Sequence, residues 1–167
     1  MKKTTVKVPK IKKISVVFVC TGNTCRSPVA ERIFKHNLKK TGKLTKFRVS
    51  SAGLSASDGS VMTELSAQVL KEASIPYTGH KARYLNEKTV YSTDYFICMT
   101  EGHKRALQGL PDVYSVAEIT NGADVCDPYG GTYTDYKKMF DYLFYAMPEI
   151  EAFIEKCIAK KALTDKP

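Results

Sequence analysis

The sequence predicts an α/β fold, a three-layer sandwich in which a four-stranded parallel sheet carries helices on both faces. Three observations lead there. Strand-like and helix-like segments alternate along the chain, so successive strands need helical crossovers. The strand-like segments, "ISVVFV" and "DYFICMT" above all, are continuous apolar runs of the kind found where both faces of a sheet are covered. A tight group of chemically capable residues, Thr21 to Ser27, follows directly on the first run, at the sheet edge where such folds bind ligands.

Residues Ile14 to Val19, β-branched and aromatic throughout, read as a central strand. Ser27 as cap and Pro28 in the first turn then open a helix with Val29, Ile33, Phe34 and Leu38 on one side, ended at Gly42. "FRVSSAG" is the second strand, stopped by Gly53. A Ser-rich loop leads to a helix presenting Val61, Met62, Leu65, Val69 and Leu70 to a core. "DYFICMT" is the third strand, "EGHKRALQGLP" a short helix, and "VYSVAEI" a fourth, weaker strand. After a long loop, Tyr136, Met139, Phe140, Leu143, Met147, Ile150, Ile154, Cys157 and Ile158 recur at helical steps, and Pro148 should kink or restart that helix.

A chain of 167 residues fits one domain with a full core, and 43% hydrophobic with 26% charged residues excludes disordered and fibrous classes. The net charge of +9 is concentrated at one end: residues 1–13 hold six lysines and no acid, and without them the charge is +3. That arm reads as a solvated tail, so nucleic acid is not expected as a partner. No secretory signal or membrane-spanning segment is visible, and five cysteines, an odd number, fit reduced thiols. The expectation is a cytoplasmic monomer with an arm at 1–13, one domain at 14–162 and a short tail at 163–167.

In "VCTGNTCRSP", Cys20 and Arg26 bracket five residues between a strand end and a helix start. The spacing alone is a weak signal. In this context the backbone N–H groups of Thr21, Gly22, Asn23, Thr24 and Cys25 can turn inward to form a nest for an oxyanion, with Gly22 and Asn23 supplying positive φ. Arg26 adds a planar fork of donors matched to two phosphate oxygens. Such a field favours a thiolate, so Cys20 is expected to titrate well below the ordinary thiol value of about 8.5 and to act as nucleophile, with Ser27 donating to its sulfur. Cys25, on the same tight loop, forms either a reversible disulfide with Cys20 or an independent thiol; Cys98, Cys126 and Cys157 read as core or surface thiols.

The chain resembles the low-molecular-weight protein phosphatases from about Ile14 to Ala162. The resemblance rests on "VCTGNTCRSP", "SSAG" after the second strand, "GHKAR" at 79–83, "DYFICMT" at 94–100 and "DPYGG" at 127–131, in the family's order. It implies a phosphotyrosine protein phosphatase I-like fold, phosphorylated proteins as substrates, and no metal or cofactor. It further implies that Cys20 attacks phosphorus, that Arg26 and the loop amides hold the equatorial oxygens, and that Asp127 protonates the leaving group and then activates water. Asn23, Ser27, Ser51 and His80 match a network that fixes the loop, and Tyr129 forms a wall of the cleft.

Thr24 stands where tyrosine-directed relatives usually carry a bulkier aliphatic residue, and Gly130 where they often carry a second aromatic. Both resemble the bacterial protein arginine phosphatases. A hydroxyl at Thr24 suits a planar, cationic phosphoguanidinium, and the loop "LSASDGS" offers no aromatic against a phosphotyrosine ring. Phosphoarginine is therefore favoured over phosphotyrosine. An arsenate reductase would need a further pair of closely spaced cysteines, and a non-catalytic phosphate sensor would need neither Cys20 nor Asp127.

Overall fold

The computed structural model describes residues 12–164. Most of the arm assigned to residues 1–13 and the last three residues of the tail lie outside that range. Four strands, β1 (Ile14–Cys20), β2 (Phe47–Gly53), β3 (Tyr95–Cys98) and β4 (Val113–Ser115), form one sheet in the order β2-β1-β3-β4, with every pair parallel. The apolar run of β1 is in the middle because both of its faces are covered. Val16, Phe18 and Cys20 point into a large core on one side, and Val17 and Val19 into a smaller core on the other.

The larger core is closed by α1 (Arg26–Lys40), α2 (Glu64–Glu72) and α6 (Tyr133–Thr164), with Phe18 and Phe34 meeting edge to face at 5.4 Å. The smaller core gathers Ala52, Leu85, Phe96, Cys98 and Leu107 beneath α3 (Glu87–Tyr91) and α4 (Glu101–Ala106). The apolar stripe of α6 is buried as expected from Tyr136 to Ile154, and Cys157 and Ile158 are partly covered.

Three local expectations are corrected, and a fourth, at Pro148, is narrowed. The fourth strand ends at Ser115, whose hydroxyl accepts from the Glu118 amide at 3.0 Å while the Glu118 carboxylate accepts from the Ser115 amide at 3.4 Å; this reciprocal cap starts α5 (Val116–Thr120) inside the run read as strand. Val61 and Met62 precede α2 instead of lying on it, and Val61 is 65% exposed. Helix α6 passes through Pro148 without restarting. One lost backbone bond is offset there by the flanking buried residues Leu143, Met147, Ile150 and Ile154. Finally, Cys25 takes the N-cap position of α1, and Ser27 lies inside the helix with its hydroxyl committed elsewhere.

Candidate active site

Beyond the carboxyl end of β1, residues 20–26 wrap the base of a cavity of about 580 Å³ whose wall includes Thr24, Glu64, Asp127 and Tyr129. The loop's conformation is set by Asn23, fully buried at φ 56°. Its amide nitrogen Nδ2 donates to Ser27 Oγ and Ser51 Oγ, each at 2.9 Å, and its Oδ1 accepts from the Arg83 amide at 3.0 Å. The Asn23 carbonyl accepts from His80 Nε2 at 2.8 Å, which places a proton on that nitrogen. Burial holds the His80 imidazole below its ordinary pKa, so it is neutral at pH 7. Gly22, in contrast, does not take positive φ, and a Cβ there would meet only Thr24 Oγ1 at 3.7 Å.

Gly53 supports the loop by being absent of side chain. The chain after β2 pairs with the loop through Leu54 N–H to Cys20 O and Ser55 N–H to Thr21 O, both 2.9 Å. A Cβ on Gly53 would lie 2.4 Å from Thr21 O and 3.0 Å from Asn23 N, both backbone atoms. Gly53→Ala is therefore expected to cost about 1–3 kcal/mol in urea melts and at least about tenfold in kcat/KM by displacing the loop. Unchanged stability and rate would show that this packing does not hold the loop.

Cys20 is 2% exposed. Its sulfur lies 2.9 Å from Ser27 Oγ and accepts from the Asn23 amide at 3.3 Å. Burial pushes the thiol up from its ordinary value, and the bonds from Ser27 and Asn23 and the Arg26 charge pull it down less strongly. The loop dipoles and the Arg26 charge that pull the thiol down were legible in the sequence; the burial of the sulfur that opposes them was not. Cys25 is a free thiol with different neighbours, Thr63 Oγ1 and Tyr136 Oη, both at 3.5 Å.

Asp127 reaches the cavity from the loop after α5. That loop is pinned by Val125 N–H to Met99 O at 2.9 Å, Glu101 N–H to Asp124 Oδ1 at 2.8 Å and Tyr142 Oη to Ala123 O at 2.6 Å. Asp127 Oδ2 accepts from Arg26 Nη2 at 2.8 Å, and the same guanidinium reaches Val125 O at 3.4 Å. Tyr129, 73% exposed, stands at the rim, and its amide donates to Asp127 Oδ1 at 3.2 Å.

The candidate catalytic, loop, network and wall residues therefore lie in or directly behind this cavity, whereas Gly130 is not among the residues that line it. Sequence reasoning missed the wall residues Ser55, Ser57, Ser60, Met62 and Glu64, and four others with closer ties to the loop or cavity. Glu31, 4% exposed, accepts from Ser51 Oγ at 2.6 Å and pairs with Lys35, extending the Asn23 network. Arg83 binds both Asn23 Oδ1 through its amide and Ser51 O through Nε at 2.9 Å. His103 touches Thr21, and Val61 lines the cavity. Only Glu31 had a local signal, an acid four residues after Ser27 on the same helix.

Residues 15–161 match the family described as low molecular weight phosphotyrosine protein phosphatase. The chain belongs to that family. Among curated relatives, the low molecular weight phosphatase chain is 33% identical over 150 residues to a protein-arginine-phosphatase of Bacillus subtilis, covering 86% of this chain and 98% of that one. It is 31% identical over 157 residues to low molecular weight protein-tyrosine phosphatase A of Mycobacterium bovis, covering 88% and 95%. Among solved structures it resembles a YwlE mutant from Bacillus subtilis, with a TM-score of 0.78, and a YwlE arginine phosphatase mutant with a phosphorylated active-site serine, with a TM-score of 0.79; each is 32% identical, with 86% of this chain covered and 99% and 97% of the other. The family's members are protein phosphatases, so this is an enzyme fold with the four-stranded parallel sheet described above. No helix among the described residues is long and apolar enough to cross a membrane.

Proposed function

We propose that the chain is a cytoplasmic protein phosphatase that works through a cysteinyl-phosphate, with phosphoarginine as the favoured substrate. The observation that carries this reading is the convergence on one cavity of a sulfur bonded by Ser27 and Asn23 with the Arg26–Asp127 ion pair. Five free cysteines fit a reducing compartment.

At rest the proton is on the Cys20 thiol and Asp127 is a carboxylate held by Arg26. A phosphoryl dianion entering the loop competes for the guanidinium fork. As Arg26 turns to it, the Cys20 proton passes to Asp127, leaving a thiolate stabilised by Ser27 and the Asn23 amide; the number of bound protons is unchanged. The thiolate attacks phosphorus, the S–P bond forms, and the bond to the substrate nitrogen or oxygen breaks with its electron pair on that atom, which takes the Asp127 proton. Water, giving its proton to Asp127, then attacks phosphorus, and the S–P bond breaks to release phosphate. The phosphorylated active-site serine of the YwlE mutant supports a phosphoryl group carried on the nucleophile position.

The cavity wall supports phosphoarginine through the hydroxyls of Thr24, Ser55, Ser57 and Ser60 and the carboxylates of Asp127 and Glu64, which suit a planar cation. Val61, Met62 and Tyr129 on the same wall favour the alternative, a phosphotyrosine ring. Paired kcat/KM measurements on phosphoarginine and phosphotyrosine peptides separate them. The parent is expected to prefer phosphoarginine, and Thr24→Ile to shift the ratio toward phosphotyrosine by about tenfold. An unchanged ratio would remove Thr24 from the argument.

A further inference from the structure

His103 is a buried titratable group for which the reaction above has no use. It lies in the first turn of α4, 8% exposed, with its amide held by the Thr100 hydroxyl at 3.1 Å. Its Nε2 is 2.9 Å from Oγ1 of Thr21, the residue after the proposed nucleophile. Thr21 lines the cavity, and its carbonyl is already taken by the Ser55 amide, so α4 governs its side chain. The other flank of the loop carries a matching imidazole, His80 on the Asn23 carbonyl. The two differ in one respect. A carbonyl forces His80 to donate, whereas a hydroxyl allows either direction, so the tautomer of His103 decides where the Thr21 proton points.

The second ring nitrogen favours one direction. Nδ1 of His103 is buried and has no hydrogen-bond partner among the described residues. A proton there would be a buried donor without an acceptor, a rarer defect than an unpaired lone pair. Burial, then the Arg26 charge, lower the ring's pKa against the raising influence of Asp124 and Asp127, so the ring is neutral at pH 7. Its single proton is accordingly on Nε2 and donated to Thr21 Oγ1. The hydroxyl's own proton turns away from the ring and is free for an acceptor in the cavity.

We propose that His103 is a positioning residue that keeps the Thr21 hydroxyl a hydrogen-bond donor toward the bound phosphoryl oxygens. This rests on the phosphatase reading of the cavity. The opposite tautomer would draw the Thr21 proton to the ring and present oxygen lone pairs to an anion. Because the phosphoryl oxygens are present in substrate and transition state alike, the contact acts on KM more than on kcat.

Inorganic phosphate affinity is measured in a Cys20→Ser background, which makes the result independent of turnover, and KM and kcat are measured with Cys20 intact. His103→Leu and Thr21→Val are each expected to weaken phosphate binding and raise KM by about tenfold, the effect of one hydrogen bond to a charged acceptor. The double variant should be no worse than either single one. His103→Gln, which places an amide donor near the position of Nε2, should stay within about threefold of the parent. Nitrogen-15 NMR of the parent ring should show the proton on Nε2. A proton on Nδ1, additive losses, or a Gln variant as impaired as the Leu variant would overturn the proposal. If His103→Leu does not fold, Thr21→Ser against Thr21→Val makes the same comparison, with only valine losing phosphate affinity.

Discussion

Cys20→Ser is expected to bring hydrolysis of any phosphopeptide down by about 10⁴-fold or more, as removal of a covalent nucleophile does, with little change in thermal stability. The alcohol is a far weaker nucleophile, and nothing in the loop is a base strong enough to deprotonate it: the nearest side-chain atom is Ser27 Oγ, itself a hydroxyl. The smaller oxygen keeps the same neighbours, so the fold should survive, and phosphate should still bind because Arg26 and the amides are untouched. Initial rates, melting curves and phosphate titrations on the one variant test all three. Turnover within about tenfold of the parent would end the cysteinyl-phosphate reading. The raised thiol adds a second expectation. Alkylation of resting Cys20 by iodoacetamide should be slow at pH 7, where burial keeps the proton on sulfur.

That thiol also shows what was legible in the sequence and what was not. The loop could be read because its parts are consecutive: seven residues carry the nucleophile, the strained Asn23 and the guanidinium, and a strand end and helix start orient them. The central place of β1 and the parallel pairing followed from apolar runs and alternation. What escaped depends on neighbours distant in sequence. Burial of the Cys20 sulfur comes from the whole larger core, and the contacts of Arg83 with Asn23 and of His103 with Thr21 span 60 and 82 positions. The Ser115 boundary is different. The Ser-x-x-Glu cap that ends β4 is written locally, but the apolar run "VYSVAEI" hid it, because a short run of that kind fits strand and helix alike.

Asp127→Asn is expected to separate catalysis from binding, and in opposite directions. An amide supplies no acidic proton to the leaving group, so kcat should fall by about 10²–10³ for phosphoarginine and alkyl leaving groups, and far less for p-nitrophenyl phosphate, whose departing oxygen needs little protonation. The same change removes the negative partner of Arg26, which in the structure draws the guanidinium to 2.8 Å. Freed from that competition, Arg26 should hold phosphate several-fold more tightly, with the inhibition constant falling by about threefold to tenfold. Asp127 is half exposed, so solvent screening keeps the binding gain modest. The two readouts distinguish general-acid loss from a displaced loop. A loop displaced by the substitution would weaken phosphate and slow every substrate equally, whereas loss of the proton donor slows substrates in order of leaving-group basicity. If phosphate bound more weakly to the variant, the ion pair would not be the contact that the incoming phosphoryl group displaces, and the proton transfer from Cys20 to Asp127 would need another trigger.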